Sequence, residues 1–454
     1  MANDLPRFIE TDEAGNVTAT YVASPTSSDG VCRVDVIHPA TKAPWQRLLD
    51  IFLPAGFPHS VTVDYVEYQI YDSLQAFSSN IVGLLSSRAV LLSVGVGDAD
   101  ASPTYALLLH IAQESLGRIG TIAFVALYGT ALEPECKMYR LLADVFNDFA
   151  FVLDCLSPAI PKYLRVVTLS FSSLLKALCG VAAGSAKASL SAHFAQWGNL
   201  GELNAKDSSQ ETVISLLGMW VGSLVLSWVR TPQATWTTLI LLLAIHLETN
   251  RRAVRAVVMR TLNRQRATLV FHHLQRGHVP TPEEVSKQER IFERGGVLRS
   301  ADGQTLGFCA VGMPLRDPLW SLAFWDKPGR NAMQTSAKWL KKLVSTMAES
   351  PYVLMPLEQS SKHMQLSITL RKDATSGAAI EAWWQALAFA EGWRATKLGH
   401  VTFTIEPQIW SVLDASAKSA RALLERHRRP LVEAGWNLDN NALETGQSRR
   451  VRIE

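Results

Sequence analysis

Two aspartates lie four residues apart in the apolar segment LLADVFNDFAF, where they could bind a proton or a cation. On a helix, Asp144 and Asp148 share one face, and like charges at this spacing repel each other. Inside a membrane, such a pair is typical of a proton or cation site. On a soluble helix, the same spacing forms an ordinary polar face, so both interpretations stay open.

A second polar cluster precedes the apolar run at 212–229. Ser208 and Glu211 have the spacing of a capping box, which would start a helix there. Lys206, Asp207 and Gln210 would then lie at a helix N-terminus, where backbone N–H groups and the helix dipole attract anions. We therefore predict a carboxylate or phosphate site at this position, although capping alone explains two of the residues.

Two cations, Arg88 and Lys176, lie alone in apolar stretches and require carboxylate partners from other helices. An unpaired charge in a low-dielectric interior costs several kcal/mol. We predict that one electrostatic network joins six of these charged residues: Arg88, Asp144, Asp148, Lys176, Lys206 and Asp207. With Gln210, they are the candidate ligand-binding residues.

The sequence shows no recognisable catalytic machinery. No nucleophile is paired with a base at a useful spacing, and the histidines and five cysteines do not have metal-ligand spacing. We expect reduced cysteines, no catalytic residue, no bound metal and no cofactor. A net charge of +3 also argues against a nucleic-acid partner.

Charge is unevenly distributed along the 454 residues. About 12% of residues 74–250 are charged, against about 23% elsewhere, near the usual value for soluble protein. Six apolar stretches lie in this middle part: 74–96, 106–128, 141–156, 164–184, 212–229 and 231–247. The run 212–229 has no charge and reaches the length of about 18 residues expected of a membrane-spanning helix.

Two architectures fit these stretches. One is the core of a large soluble helical domain, and the other is a membrane bundle whose charges face its interior. Gly180-x-x-x-Gly184 and Gly218-x-x-x-Gly222 favour the bundle, because small residues at this spacing let membrane helices approach closely. A run of arginines after the last stretch also favours the membrane bundle, because positive residues are typical where a chain leaves a membrane on the cytosolic or matrix side. These arginines are Arg251, Arg252, Arg255, Arg260, Arg264 and Arg266. A solvated helix face or a nucleic-acid patch is the alternative for this run.

The resulting fold class is mainly α, with a polytopic membrane-like helical bundle followed by a smaller soluble α+β domain. We divide the chain into a disordered lead (1–30), an N-terminal segment (31–60), the helical domain (61–250), an arginine-rich linker (251–278) and the C-terminal domain (279–454). A short strand is predicted at 31–36 and a helix at 45–52. The chain is expected in an intracellular membrane with its termini on the cytosolic or matrix side.

The C-terminal part has clear local signals. Thr281, Pro282 and the two glutamates that follow form a helix start. A hairpin is predicted over 296–311 with its turn at Asp302-Gly303, followed by helices near 335–348, 378–390 and 407–428 and strands at 352–355 and 365–370. Because no nucleophile–base pair and no residues at metal-ligand spacing accompany these elements, we interpret the domain as regulatory or scaffolding.

Several motifs resemble the root UV-B sensitive (RUS) family. They are DYVEYQIYDSLQAFSS at 64–79, LSSRAV at 85–90, GVGD at 95–98, ADVFND at 143–148, KALCGVAAG at 176–184 and NAKDSSQET at 204–212. The resemblance covers about 53–229 and implies a eukaryotic member, fungal or other, that is associated with membranes. It also implies a link to vitamin B6 homeostasis and, in plants, to light-dependent root development, but it supplies no catalytic mechanism.

Our leading hypothesis is therefore a non-enzymatic carrier or binder of a small anionic metabolite. The alternative is a non-catalytic membrane scaffold or adaptor that acts through its C-terminal domain, with a protein partner or a second copy of the chain.

Overall fold

The computed structural model describes residues 7–11, 17–25, 32–37, 52–95, 103–316, 319, 337–357, 364–395 and 407–452. The helix predicted at 45–52 falls almost wholly outside these residues. Within them, the protein is mainly helical, with a smaller α+β region. The chain folds into two compact units. The helical unit comprises Met1–Gly117, Ala143–Cys179 and Lys187–Val257, and the C-terminal unit comprises Arg118–Leu142, Gly180–Ala186 and Val258–Glu454.

Six long helices correspond to the six predicted apolar stretches. They are α1 (Tyr65–Ser93), α2 (Pro103–Tyr128), α3 (Cys136–Leu156), α4 (Lys162–Phe194), α5 (Leu200–Trp228) and α6 (Pro232–Ala256). Among the described helices, α1, α4 and α5 are long and apolar enough to cross a membrane, judged by length and composition.

A tight turn joins α5 to α6. Pro232 occupies the first turn of α6, where its missing N–H is not needed. Thr231 caps the helix by accepting a hydrogen bond from the Ala234 N–H at 3.2 Å. The two helices therefore form a hairpin.

Helix α1 packs extensively against α5 and α6 within the helical unit. Its contact with α5 depends on two glycines. A Cβ at Gly218 would lie 2.8 Å from Asn80 Cβ, and one at Gly222 would lie 2.7 Å from Leu84 Cδ1. The predicted small-residue contact is thus confirmed for this pair. For Gly180 and Gly184, no atom of the described residues lies within 4 Å of a Cβ at either position.

This difference gives a test of the α1–α5 packing. We expect Gly218→Val to lower the free energy of unfolding by about 1–3 kcal/mol, because the added carbons overfill the contact. Gly184→Val is the matched control, since it introduces the same side chain on a helix at an uncrowded site. Thermal unfolding of the detergent-solubilised protein measures both, and equal losses would contradict the packing.

The N-terminal residues correct one prediction. Strands β1 (Arg7–Thr11), β2 (Val17–Pro25) and β3 (Cys32–Ile37) form an antiparallel sheet in the order β1-β2-β3. The predicted disordered lead is therefore wrong for the two strands that it contains, whereas the strand at 31–36 is confirmed as β3. β-branched and aromatic residues such as Ile9, Val17 and Tyr21 favour extended backbone despite the polar composition.

The remaining elements belong to the C-terminal unit. They are β4 (Thr261–Asn263), α7 (Arg264–Gln275), α8 (Pro282–Gln288), β5 (Val297–Arg299), β6 (Thr305–Val311), α9 (Ala337–Glu349), β7 (Tyr352–Pro356), β8 (Met364–Arg371), α10 (Ser376–Ala395), α11 (Pro407–Glu433), β9 (Asn437–Ala442) and β10 (Arg450–Val451). A sheet runs in the order β10-β8-β6-β5, with β7 paired to β8, and β4 pairs with β9.

The local predictions in this unit are confirmed. Thr281 and Glu284 form a complete capping box at the start of α8. Strands β5 and β6 form the predicted hairpin, and Gly303 has φ = +76°, a conformation that glycine adopts without strain. The core includes Trp383 and Trp384, which are fully buried and donate to Thr268 Oγ1 and the Ala267 carbonyl at 3.0 and 2.9 Å.

Candidate functional site

The two aspartates of α3 contact a buried polar group built from α1 and α6. Gln75 Nε2 donates to Asp144 Oδ2 at 3.0 Å, and Asn250 Nδ2 donates to the same oxygen. His246 Nδ1 lies 2.7 Å from Asp148 Oδ1, and His246 Nε2 lies 2.7 Å from Gln75 Nε2. We call these five residues the Asp–His cluster.

The hydrogen-bond pattern assigns the His246 tautomer. The Gln75 amide nitrogen has two N–H groups, one for Asp144 and one for His246 Nε2. Nε2 must then accept, which leaves the ring proton on Nδ1, where it faces Asp148. The neutral imidazole and the amide thus lie between the two carboxylates, with Gln75 donating to Asp144 Oδ2 and His246 Nδ1 lying 2.7 Å from Asp148 Oδ1.

The Asp–His cluster is almost completely buried. Asp144 and Asp148 are 3% and 6% exposed, and His246 and Asn250 are 0% exposed. The two aspartates are predicted from the sequence but His246 is not, because histidines were considered only as metal ligands. The available signal was the spacing of His246 and Asn250, which share one face of α6.

The prediction of a single electrostatic network is wrong about which charged residues pair. Lys176 Nζ lies 2.5 Å from Asp154 Oδ2, so its partner is neither aspartate of the Asp–His cluster. Asp154 is 1% exposed and also accepts from Ser86 Oγ at 2.6 Å and Ser172 Oγ at 2.5 Å. The Asp154 carboxylate therefore connects α1, α3 and α4. We interpret this second group of residues as stabilising the packing of the three helices.

Arg88 also has a different partner from the one predicted. Its guanidinium donates to the Val229 and Leu226 carbonyls at 2.7 and 3.4 Å and to Thr235 Oγ1 at 3.1 Å. The last carbonyls of a helix have no partner within the helix and carry negative partial charge. Arg88 thus caps the C-terminus of α5 at its turn into α6.

The predicted helix-mouth anion site is wrong. Helix α5 begins at Leu200 after Asn199, so Lys206, Asp207 and Gln210 lie within the helix and Ser208 does not cap it. The capping pattern at Ser208 was misleading because residues 200–207, which precede it, are also helical. The free backbone N–H groups that the anion site required are consequently absent at this position.

Asp207 and Gln210 instead make specific contacts within the helical unit. Asp207 pairs with Lys187 on α4 at 2.7 Å and accepts from Gln69 Nε2 at 2.7 Å. Lys187 also lies 2.8 Å from Glu211. Gln210 Nε2 donates to the Phe52 carbonyl at 2.7 Å. Lys206, on the same helix, is half-buried.

A cavity of about 590 Å³ lies beside this group, between α1, α5 and Phe52-Leu53. Gln69 and Gln210 contribute to its lining, together with Tyr65 and several apolar side chains. Among the described residues, no group of His, Cys, Asp or Glu is arranged to hold a metal ion.

The arginine run is partly engaged in ion pairs. Arg251 and Arg252 pair with Glu248, each at 2.7–2.8 Å. Arg264 lies 3.2 Å from Glu135, and Arg266, which is 2% exposed, lies 2.6 Å from Glu289. These contacts give part of the run a structural role.

Comparison with known proteins identifies the kind of protein. A family model described as "Vitamin B6 photo-protection and homoeostasis domain" matches residues 38–277. RUS family member 1 of Dictyostelium discoideum is 34% identical over 297 residues, which are 64% of this chain and 56% of that protein. Root UVB sensitive 3 of Arabidopsis thaliana is 37% identical over 265 residues, which are 58% of this chain and 60% of that protein.

The chain belongs to the RUS family. Its matches span a little under two thirds of the length of these two curated relatives. No solved structure matches the chain.

Proposed function

We propose that the helical unit is embedded in an intracellular membrane, with the termini on the cytosolic or matrix side, and binds or carries a small metabolite. One observation carries the proposal: this unit buries several ionisable side chains and leaves large apolar side chains exposed. Asp144, Asp154 and His246 are at most 3% exposed, whereas Trp220 and Leu224 are each 65% exposed. Soluble proteins bury such apolar side chains and expose such charges.

The exposed apolar residues extend over several helices of the unit. Leu107, Leu108 and Ile111 of α2 and Ile240 and Leu241 of α6 are also exposed. Exposed apolar side chains in this number favour a membrane or another protein as their cover. The arginine run contributes less to the proposal, because Arg266 is buried and paired.

The metabolite class follows from the family description, which concerns vitamin B6. We assign B6 vitamers as the first ligands to test. The sequence analysis proposed an anion, but its helix-mouth site is absent, so phosphorylated and unphosphorylated vitamers are both candidates. The Asp–His cluster would bind a proton during transport, as ionisable residues inside membrane bundles commonly do.

Uptake into liposomes tests this function. We expect the purified full-length chain to give saturable uptake or binding of a radiolabelled B6 vitamer, and an imposed pH gradient to change the uptake rate. Protein-free liposomes made in parallel are the control. If no B6 vitamer, amino acid or organic anion shows saturable uptake or binding, the carrier function is wrong.

A membrane scaffold or adaptor is the second proposal, and a groove in the C-terminal unit favours it. The groove has a volume of about 450 Å³ and lies between α9, β7 and α11. Lys342, Arg421 and Asp414 place charges of both signs beside Trp410, a combination that suits a protein segment. Full transport activity after removal of these charges by Lys342→Ala and Arg421→Ala would separate the two functions.

A further inference from the structure

A small cavity of about 30 Å³ lies within the C-terminal unit, beside the loop that precedes β5. Among the described residues of its lining, three arginines accompany two glutamates: Arg264, Arg294, Arg299, Glu135 and Glu293. Positive side chains therefore outnumber negative ones around this space. The adjoining buried group has the same imbalance, because Lys137 and Arg266 share the carboxylate of Glu289.

The two glutamates of the lining are already engaged by protein donors. Glu293 accepts from Arg299 Nε and Nη2, each at 2.7 Å. Glu135 accepts from Asn263 Nδ2 at 3.0 Å and from Arg264 Nη2 at 3.2 Å. Glu293 therefore compensates the charge of Arg299, and Glu135 is shared between Arg264 and an amide.

Two arginines of the lining keep N–H groups for a further acceptor. The bond to Glu135 is the only one that the Arg264 guanidinium makes to the described part of the chain, although this side chain is 14% exposed. Arg294 has no carboxylate partner there, and its guanidinium carbon lies 4.3 Å from the centre of the Phe308 ring. Because a guanidinium has five N–H groups, both side chains can donate to an anion in the cavity.

The backbone of the loop adds two further donors to the lining. Within the described chain, the N–H groups of Gly295 and Gly296 have no backbone acceptor. Gly296 has φ = +72°, and a Cβ there would lie 2.5 Å from the Cys309 carbonyl oxygen, so the position requires glycine. Successive N–H groups in a turn that contains a left-handed residue form concavities that bind anions.

We propose that this cavity binds one chloride ion, held by the guanidinium groups of Arg264 and Arg294 and by the N–H groups of Gly295 and Gly296. A volume of about 30 Å³ holds about two or three water molecules, since one needs about 10–15 Å³. The space therefore suits a compact monovalent anion rather than an organic phosphate. The ion would offset part of the surplus positive charge and stabilise the C-terminal unit. The inference depends neither on the membrane placement nor on the metabolite.

Thermal unfolding at constant ionic strength tests the site. The detergent-solubilised full-length chain is titrated with sodium chloride in exchange for sodium gluconate, whose anion is too large for the cavity. Tryptophan fluorescence follows unfolding of the C-terminal unit. We expect Tm to rise saturably with chloride, because a ligand that binds only the folded state stabilises it. Bromide, which is nearly as compact, should replace chloride.

Two arginine variants locate the ion. Arg294→Gln should raise the half-saturating chloride concentration about 10-fold, through loss of a charge-assisted hydrogen bond. In gluconate, its Tm should equal that of wild type, because Arg294 forms no ion pair with any described residue. Arg276→Gln is the matched control, since it removes the same charge from an exposed arginine outside the lining and should leave the chloride titration unchanged.

Three results would overturn the proposal. A rise in Tm that gluconate reproduces, or that does not saturate, would show a general effect of salt instead of a bound ion. Equal chloride titrations of Arg294→Gln and Arg276→Gln would exclude this cavity as the binding site. Saturation by inorganic phosphate at a lower concentration than by chloride would contradict a site for a compact monovalent ion.

Discussion

Replacing Glu289 with alanine is expected to lower the free energy of unfolding of the C-terminal unit by about 3–5 kcal/mol. Glu289 lies 2.7 Å from Lys137 Nζ and 2.6 Å from Arg266 Nη1, and the three side chains are at most 8% exposed. Removal of the carboxylate would leave two cations buried without compensation. Urea denaturation followed by tryptophan fluorescence measures the loss, because Trp383 and Trp384 are buried in the same unit.

The control for this variant is Glu433→Ala. Glu433 pairs with Arg429 at 2.7 Å, but both side chains are more than 60% exposed. Exposed ion pairs contribute about 0–1 kcal/mol, so the control should change little. Equal losses in the two variants would show that the buried group does not stabilise the unit.

The Glu289 carboxylate also makes the stability of the C-terminal unit depend on pH. Burial alone would raise the pKa of Glu289, but Arg266 and Lys137 outweigh burial and hold the pKa below its ordinary value. Its contribution to stability is therefore complete above the unfolded-state pKa, about 4.3, and disappears as the pH falls through the lower folded-state pKa. The stability difference between wild type and Glu289→Gln should accordingly shrink in acid.

A loss of stability is also expected when His246 is replaced with leucine. This change removes the ring nitrogen that lies 2.7 Å from Asp148 Oδ1 and leaves a buried carboxyl group without that contact. Because the imidazole is neutral, we expect a loss of about 1–3 kcal/mol in the free energy of unfolding. Because Asp148→Leu removes the partner charge, the double variant should lose less than the sum of the two single variants.

Lys176→Met provides the comparison for this double-mutant cycle of His246 and Asp148. Lys176 pairs with Asp154, so its effect should add to that of Asp148→Leu within about 0.5 kcal/mol. The pairing predicted from the sequence requires the reverse result, with coupling of Asp148 to Lys176 and none to His246. Unfolding of the solubilised protein, measured for all variants in one detergent, distinguishes the two.

The sequence predicted those features that depend on local chemistry. The helix start at Thr281 and the hairpin turn at Gly303 each require particular residues at short spacing. The Gly218 and Gly222 contact followed from spacing as well. Each of these features is decided by a few neighbouring residues, and each is confirmed by the structure.

The candidate site was only partly predictable because its partners come from distant parts of the chain. Helix packing decides which carboxylate pairs with Lys176: that of Asp144, Asp148 or Asp154. The spacing of residues in the sequence does not define this packing. His246 was missed because histidines were considered only as metal ligands, and its partner Asp148 lies almost one hundred residues earlier in the chain. The start of α5 was misplaced because a capping pattern also occurs inside helices.

Carbonate extraction tests the central claim, that the exposed apolar side chains of the helical unit reflect insertion into a membrane. Membranes that contain the full-length chain are washed at alkaline pH and then treated with detergent. We predict that the chain stays in the membrane pellet after carbonate and is released only by detergent, as expected of spanning helices. Release by carbonate alone would contradict the claim and would show that another protein surface, rather than lipid, covers the exposed apolar helices.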